Sequence, residues 1–209
     1  MEHEFRNQGY KIIAGVDEAG RGPLAGPVVA AAVILPERFD LKGLTDSKKL
    51  TALRREKLSK EIKEISLAWH IETVSVEYIN EHNILKATLY AMKNCIEKLN
   101  PAPDCVLIDG NQTVPGVNIP QKAIIKGDMR CKTISSASIL AKVHRDEIMQ
   151  NLHIRYPLYK FDKNKGYGSK AHLEALKEFG ATPCHRKYYA PVAEIINTEN
   201  KQMELMMRL

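Results

Sequence analysis

The chain has 209 residues, 44% hydrophobic and 27% charged, the profile of one globular domain with a full-sized core. Its formal net charge of +6 suits a polyanionic partner without choosing among nucleic acid, an acidic membrane surface and no partner at all. The polar N-terminus lacks the apolar stretch of a signal peptide, and the longest apolar run, Val28 to Leu35, falls far short of the ~20 residues that span a membrane. A soluble, cytoplasmic protein with no membrane contact is expected.

In chain order, residues 11–16 and 28–35 are β-branched apolar runs bounded by Gly and Pro, which reads as two strands flanking a Gly-rich turn. Thr51 can cap a charged amphipathic helix through Ile65, and a third strand fits 67–76. A longer helix is expected over 77–99, with Ile84, Leu85, Leu89, Met92, Ile96 and Leu99 on its buried face. Cys105 to Asp109 is a short buried strand ending in a carboxylate, and Ala123 to Asp128 repeats that design. Helices follow at 135–152, 169–179 and 191–198, with a basic, aromatic-dotted loop from Lys160 to Lys170 between the first two. Three early strands followed by alternating helix and strand argue for an α/β layered fold with a mixed sheet. Residues 1–198 form one domain in this reading, and 199–209 a tail or frayed helix. The cysteines at 95, 105, 131 and 184 show no C-x-x-C spacing, so free thiols are expected rather than zinc or disulfides.

The acids sit where strands end: Asp17 and Glu18 after the first, Asp109 after the fourth, Asp128 after the fifth. Strand ends are where functional groups collect in open α/β sheets, because the scaffold fixes them there. Carboxylates brought together repel, and a divalent cation removes that repulsion; oxygen-only ligands select hard ions such as Mg²⁺ or Mn²⁺. Against this, an Asp closing a strand is commonly a turn or cap residue, so from these residues alone both readings stand. Adjacent strand residues also point to opposite faces, which would keep Asp17 and Glu18 apart. Gly20 and Gly22 suggest a strand already leaving regular geometry, which would let both acids serve one site.

Asp17-Glu18-Ala19-Gly20-Arg21-Gly22-Pro23 resembles the signature of bacterial ribonuclease HII. The resemblance continues, in order, through Asp46 to Leu50, Leu107 to Asn111, Lys126-Gly127-Asp128, Ser135 to Val143, Lys165-Gly166-Tyr167 and Gly180-Ala181-Thr182, covering nearly the whole chain. It implies an RNase H-like fold, a five-stranded mixed sheet flanked by helices with a helical C-terminal portion. It implies metal-binding, catalytic acids at Asp17, Glu18, Asp109 and Asp128 holding two Mg²⁺ or Mn²⁺ ions. It further implies recognition of the ribose 2′-OH by Gly20, Arg21 and Gly22, and stacking of Tyr167 on the neighbouring deoxyribose. The physical logic agrees: the 2′-OH distinguishes RNA from DNA, and backbone approaches it closely where side chains are missing. A lone Gly-x-Gly is otherwise weak, since most mark ordinary turns.

Asp46, Lys48 and Lys49 match the family and are read as substrate contacts, although surface lysines are usually solvated. Ser135 is taken as a helix cap, Phe161 as core, His144 and His172 as structural. Arg145 and Asp146 read first as a local surface ion pair, and His185-Arg186-Lys187 as a basic cluster that touches the duplex or is solvated. The expected substrates are RNA–DNA hybrids and DNA duplexes with embedded ribonucleotides, cut 5′ of the ribonucleotide by a monomer. A sliding-clamp partner for the tail lacks support. The rivals are a DNA-cutting nuclease of the same fold and a non-catalytic duplex-binding protein.

Overall fold

The computed structural model describes residues 1–44, Ser47 and 50–206, with the side chains of 199–206 excepted. Five strands, β1 (Ile13–Ala19), β2 (Val28–Ile34), β3 (Ala68–Val74), β4 (Cys105–Asp109) and β5 (Gln121–Ile124), form one sheet in the order β3-β2-β1-β4-β5. β2 pairs antiparallel with β1 and β3, while β4 runs parallel to β1 and β5, so the sheet is mixed as expected.

β2 (Val-Val-Ala-Ala-Ala-Val-Ile) is buried along its whole length, and alternation splits it between two cores. Val28, Ala30, Ala32 and Ile34 pack beneath helix α4 (Ile84–Glu97), against Ala87, Ala91 and Cys95. Val29, Ala31 and Val33 face the opposite layer, with Leu58 and Ile62 of α2 (Ala52–Ile65) and Ala137 and Leu140 of α6 (Lys132–Arg155). Small side chains let α6 lie close on the sheet. A Cβ on Gly15 would overlap the backbone of Thr133 and Ile134, so the α6–β1 contact needs glycine there.

Thr51 caps α2 as expected, its hydroxyl accepting the Arg54 N–H. The helix expected over 77–99 is two helices, α3 (Val76–His82) and α4, broken at Asn83. Asn83 has φ 69°, a conformation asparagine tolerates, and its side chain accepts the Lys86 N–H, ending one helix and starting the next. The second strand-carboxylate unit is also different. β5 stops at Ile124 and is only partly buried, and Asp128 lies on a four-residue helix, α5 (Gly127–Arg130). Helix α6 starts at Lys132, so Ser135 sits inside it and is not the cap. A short helix, α1 (Glu2–Asn7), precedes the sheet and was not expected.

A third core gathers around a 3₁₀ turn (Pro157–Tyr159), α7 (Phe161–Asn164), α8 (Lys170–Phe179) and α9 (Ala190–Met206), the last running beyond the expected end at 198. Phe161 is fully buried there, as expected. All four cysteines are free and buried, with Cys95 and Cys131 pushed up to about 12 and Cys105 to about 11, chiefly by burial. Thiols so shifted stay protonated and inert. Among the described residues no helix is long and apolar enough to cross a membrane.

Candidate active site

Asp17, Glu18, Gly20, Arg21, Gly22, Asp109 and Tyr167 line one cleft of about 240 Å³ at the sheet's end. The strand carrying the first two acids stays regular: Asp17 pairs with Ala31, Glu18 with Ala30 and Ala19 with Val29. The expected distortion is therefore absent at these pairs, and the pleat keeps the two acids on opposite faces. Asp17 shares the α6 face with Gly15, and Glu18 extends on the α4 side beside Leu85, Thr88 and Leu89. They reach one cleft by another route. β4 pairs with β1 only as far as Ile108 opposite Val16, so β1 runs on beyond its neighbour and both faces open beside Asp109. A sheet end, rather than a bent strand, brings them together.

Electrostatics mark the cluster. Burial, then the Glu18 and Asp109 carboxylates, hold Asp17 well above the usual carboxylate range, partly offset by hydrogen bonds from Ser138 and the Glu18 N–H. Glu18 is raised by burial, and the Arg21 guanidinium 3.2 Å away opposes the shift. Asp109 accepts the Gly127 N–H at 2.6 Å, which ties β4 to the residue preceding Asp128. Asp128 itself is buried and does not line the cleft with the other three acids. Among the described residues no three acidic, histidine or cysteine side chains already stand close enough to enclose an ion. The donor chemistry nevertheless fits a hard divalent cation: oxygen donors only, on a buried carboxyl whose like-charged neighbours such an ion would compensate.

Gly20 has φ +98°, and a Cβ there would overlap the Arg145 side chain, so the turn needs glycine at that position. Tyr167 is half exposed across the cleft. Asp46, Lys48 and Lys49 lie outside the described residues; Ser47, between them, lines the cleft and exchanges a 3.0 Å hydrogen bond with Ser138.

A Ribonuclease HII family model matches residues 14–192. The chain belongs to the ribonuclease HII family. These are metal-dependent hydrolases. A ribonuclease HII of Neisseria meningitidis serogroup A is 52% identical over 185 residues, 88% of this chain and 95% of that protein. The ribonuclease H2 crystal structure from Pyrococcus horikoshii superposes with a TM-score of 0.77 at 27% identity, over 90% of this chain and 99% of that one. The RNase HII of Archaeoglobus fulgidus, solved in complex with PCNA, gives 0.73 at 28% identity, over 88% and 96%.

In and around this cleft the structure differs from the sequence reading at several residues. Arg145 makes no local pair with Asp146: it is buried and donates to the carbonyls of Ala25, Pro27 and Lys165. Asp146 pairs with Lys142 at 2.7 Å and Arg55 at 3.6 Å. Of the basic cluster, His185 and Arg186 are neither solvated nor free to touch a duplex, because both are buried. His172, expected to be structural, is buried against His185. Ser138 and Lys142, one helical turn apart on α6, also line the cleft. Their small-polar and basic character within a buried helix was the available signal.

Proposed function

We propose that the protein hydrolyses the RNA strand of RNA–DNA hybrids and cuts on the 5′ side of ribonucleotides embedded in duplex DNA, leaving a 3′-hydroxyl and a 5′-phosphate. The observation that carries this reading is the sharing of one cleft by Asp17, Glu18 and Asp109 with the Gly20-Arg21-Gly22 turn and Tyr167. Asp17 and Asp109 would share two ions, and Glu18 and Asp128 would complete one each. Two bound divalent ions, Mg²⁺ or Mn²⁺, supply an activated water and neutralise the leaving oxygen. Asp17, fixed by β1 and steadied by Ser138, orients the reacting centre. The turn offers backbone to the 2′-OH, where a side chain would intrude. Arg21, released from Glu18, can donate to a phosphate, and the exposed Tyr167 ring offers a stacking surface. Lys48 and Lys49, which follow Ser47, are assigned to phosphates and Asp46 to the same substrate surface. The reading needs no protein partner, and it places the protein in the cytoplasm.

The test is incubation with Mg²⁺ or Mn²⁺ and a DNA duplex carrying one ribonucleotide. Nicking at that ribonucleotide is expected, with none in an all-DNA control and none with chelator. Asp109→Asn should abolish nicking while duplex binding persists; retained turnover would contradict its role as a ligand. Arg21→Ala should weaken the preference for the ribonucleotide. Cutting of the all-DNA duplex would instead favour a DNA nuclease, and binding without cutting a non-catalytic protein.

A further inference from the structure

Neither side chain that fixes the cleft's two recognition surfaces touches the cleft. Arg186 is fully buried and directs its fork at the turn. It donates to Gly20 O at 2.6 Å, Arg21 O at 2.9 Å, Gly26 O at 2.8 and 3.0 Å, and Pro27 O at 3.2 Å. Tyr189 adds a second donor, its hydroxyl bonding Arg21 O at 2.5 Å and accepting from Arg186 at 3.1 Å. In a trans peptide the C=O and N–H point in opposite directions. Drawing the Gly20 and Arg21 carbonyls inward therefore turns the Arg21 and Gly22 N–H groups away from Arg186. Gly20, Arg21 and Gly22 all line the cleft. A turn with carbonyls in and amides out is a donor surface.

The preceding residue serves the other side. His185 Nδ1 accepts the Thr182 N–H at 3.0 Å, so its proton is assigned to Nε2. That Nε2 lies 3.0 Å from His172 Nε2, which must then accept and carry its own proton on Nδ1. His172 Nδ1 is 2.8 Å from Tyr167 O, a carbonyl that can only accept. One pair of neutral tautomers satisfies every bond. The relay thus ends on the backbone of the tyrosine facing the turn. The strap is anchored by a bridge between His185 and Ala25 and by the Arg186 N–H on Leu24 O at 2.8 Å.

We infer that His185 and Arg186, working through His172 and Tyr189, form a positioning strap that sets the Gly20-Arg21-Gly22 turn and Tyr167 at the spacing a ribonucleotide junction requires. The inference rests on the proposed function. A strap of this kind controls selection between substrates, whereas a merely structural one would affect all substrates alike.

The measurement is kcat/KM on a duplex with one ribonucleotide, divided by kcat/KM on a continuous RNA–DNA hybrid, with melting recorded for every variant. Tyr189→Phe removes one donor to Arg21 O and leaves Arg186 in place; the ratio should fall about tenfold while melting stays within ~3 °C. His172→Gln loses the donor to Tyr167 O and should lower the ratio several-fold. His172→Asn places an amide N–H where Nδ1 stood and should restore much of it. An unchanged ratio in folded Tyr189→Phe, or equal loss in His172→Gln and His172→Asn, would overturn the strap while leaving the nuclease reading intact. Wild-type protein that does not cut at a single ribonucleotide would remove both.

Discussion

Asp17 shows what the site demands of one residue. Its carboxyl is buried on a β-strand, beside two other acids, where the charged form is disfavoured. Its folded pKa lies above the unfolded value, so the folded chain holds the extra proton at intermediate pH, and the ionised form works against the fold at pH 7. Asp17→Asn should therefore stabilise the metal-free protein, by about 1 kcal/mol, while abolishing cleavage. Mg²⁺ or Mn²⁺ should raise the melting temperature of the wild type and leave the variant unmoved, since a ligand stabilises only the state that binds it. Thermal melts with and without metal decide it, and a variant that melts lower than wild type in the absence of metal would contradict the account. That Asp17 lies near the far end of the first strand was legible in the sequence, although β1 runs on through Ala19 rather than stopping at residue 16. The burial that loads Asp17 was not legible, because it depends on α6 lying over the strand.

Between elements, the seam of α6 on β1 sets the depth of the cleft. Ser138 and Lys142 reach the cleft from α6, and Asp17 meets them from β1. Gly15 permits this approach, because its α face touches the Thr133 and Ile134 backbone. Gly15→Ala forces the helix outward and should destabilise by about 1–3 kcal/mol, with activity falling further than stability because the Asp17–Ser138 contact opens. Denaturant melts and turnover on the same samples test this; a fully active, equally stable variant would show that the seam is slack. The sequence showed a glycine inside a strand, a sign of close backbone approach. It could not show which helix approached. The break at Asn83 was equally hidden, since an asparagine inside a continuous apolar pattern is also compatible with an unbroken helix.

Across the whole molecule, residues 172–189 fold back onto the N-terminal turn and join the chain's two ends through buried polar groups. Burial, and then the neighbouring His172 ring, push His185 down to about 4, and burial lowers His172 as well. Unfolded imidazoles protonate near ~6.5, so between about 6.5 and 4 the unfolded chain binds more protons and stability falls as pH falls. His185 alone contributes up to roughly 3 kcal/mol across that window. His185→Asn keeps an acceptor for the Thr182 N–H without titrating, so its melting temperature should decline less steeply with acid. Parallel profiles for the two proteins would refute the coupling.

The sequence by itself determined the strand and helix periodicities, the mixed sheet and the acids and glycines of the cleft, because each is local in the chain or carried by a motif. Only the tertiary structure decided that Asp17 and Glu18 converge around the end of a regular strand, past the point where β4 stops pairing. Likewise, Arg145 and Arg186 turned out to be interior braces rather than surface charges. Apart from Lys165 O and the Tyr189 hydroxyl, their partners are backbone carbonyls 118 to 166 residues away along the chain, and a carbonyl leaves no trace in the identity of the residue that carries it.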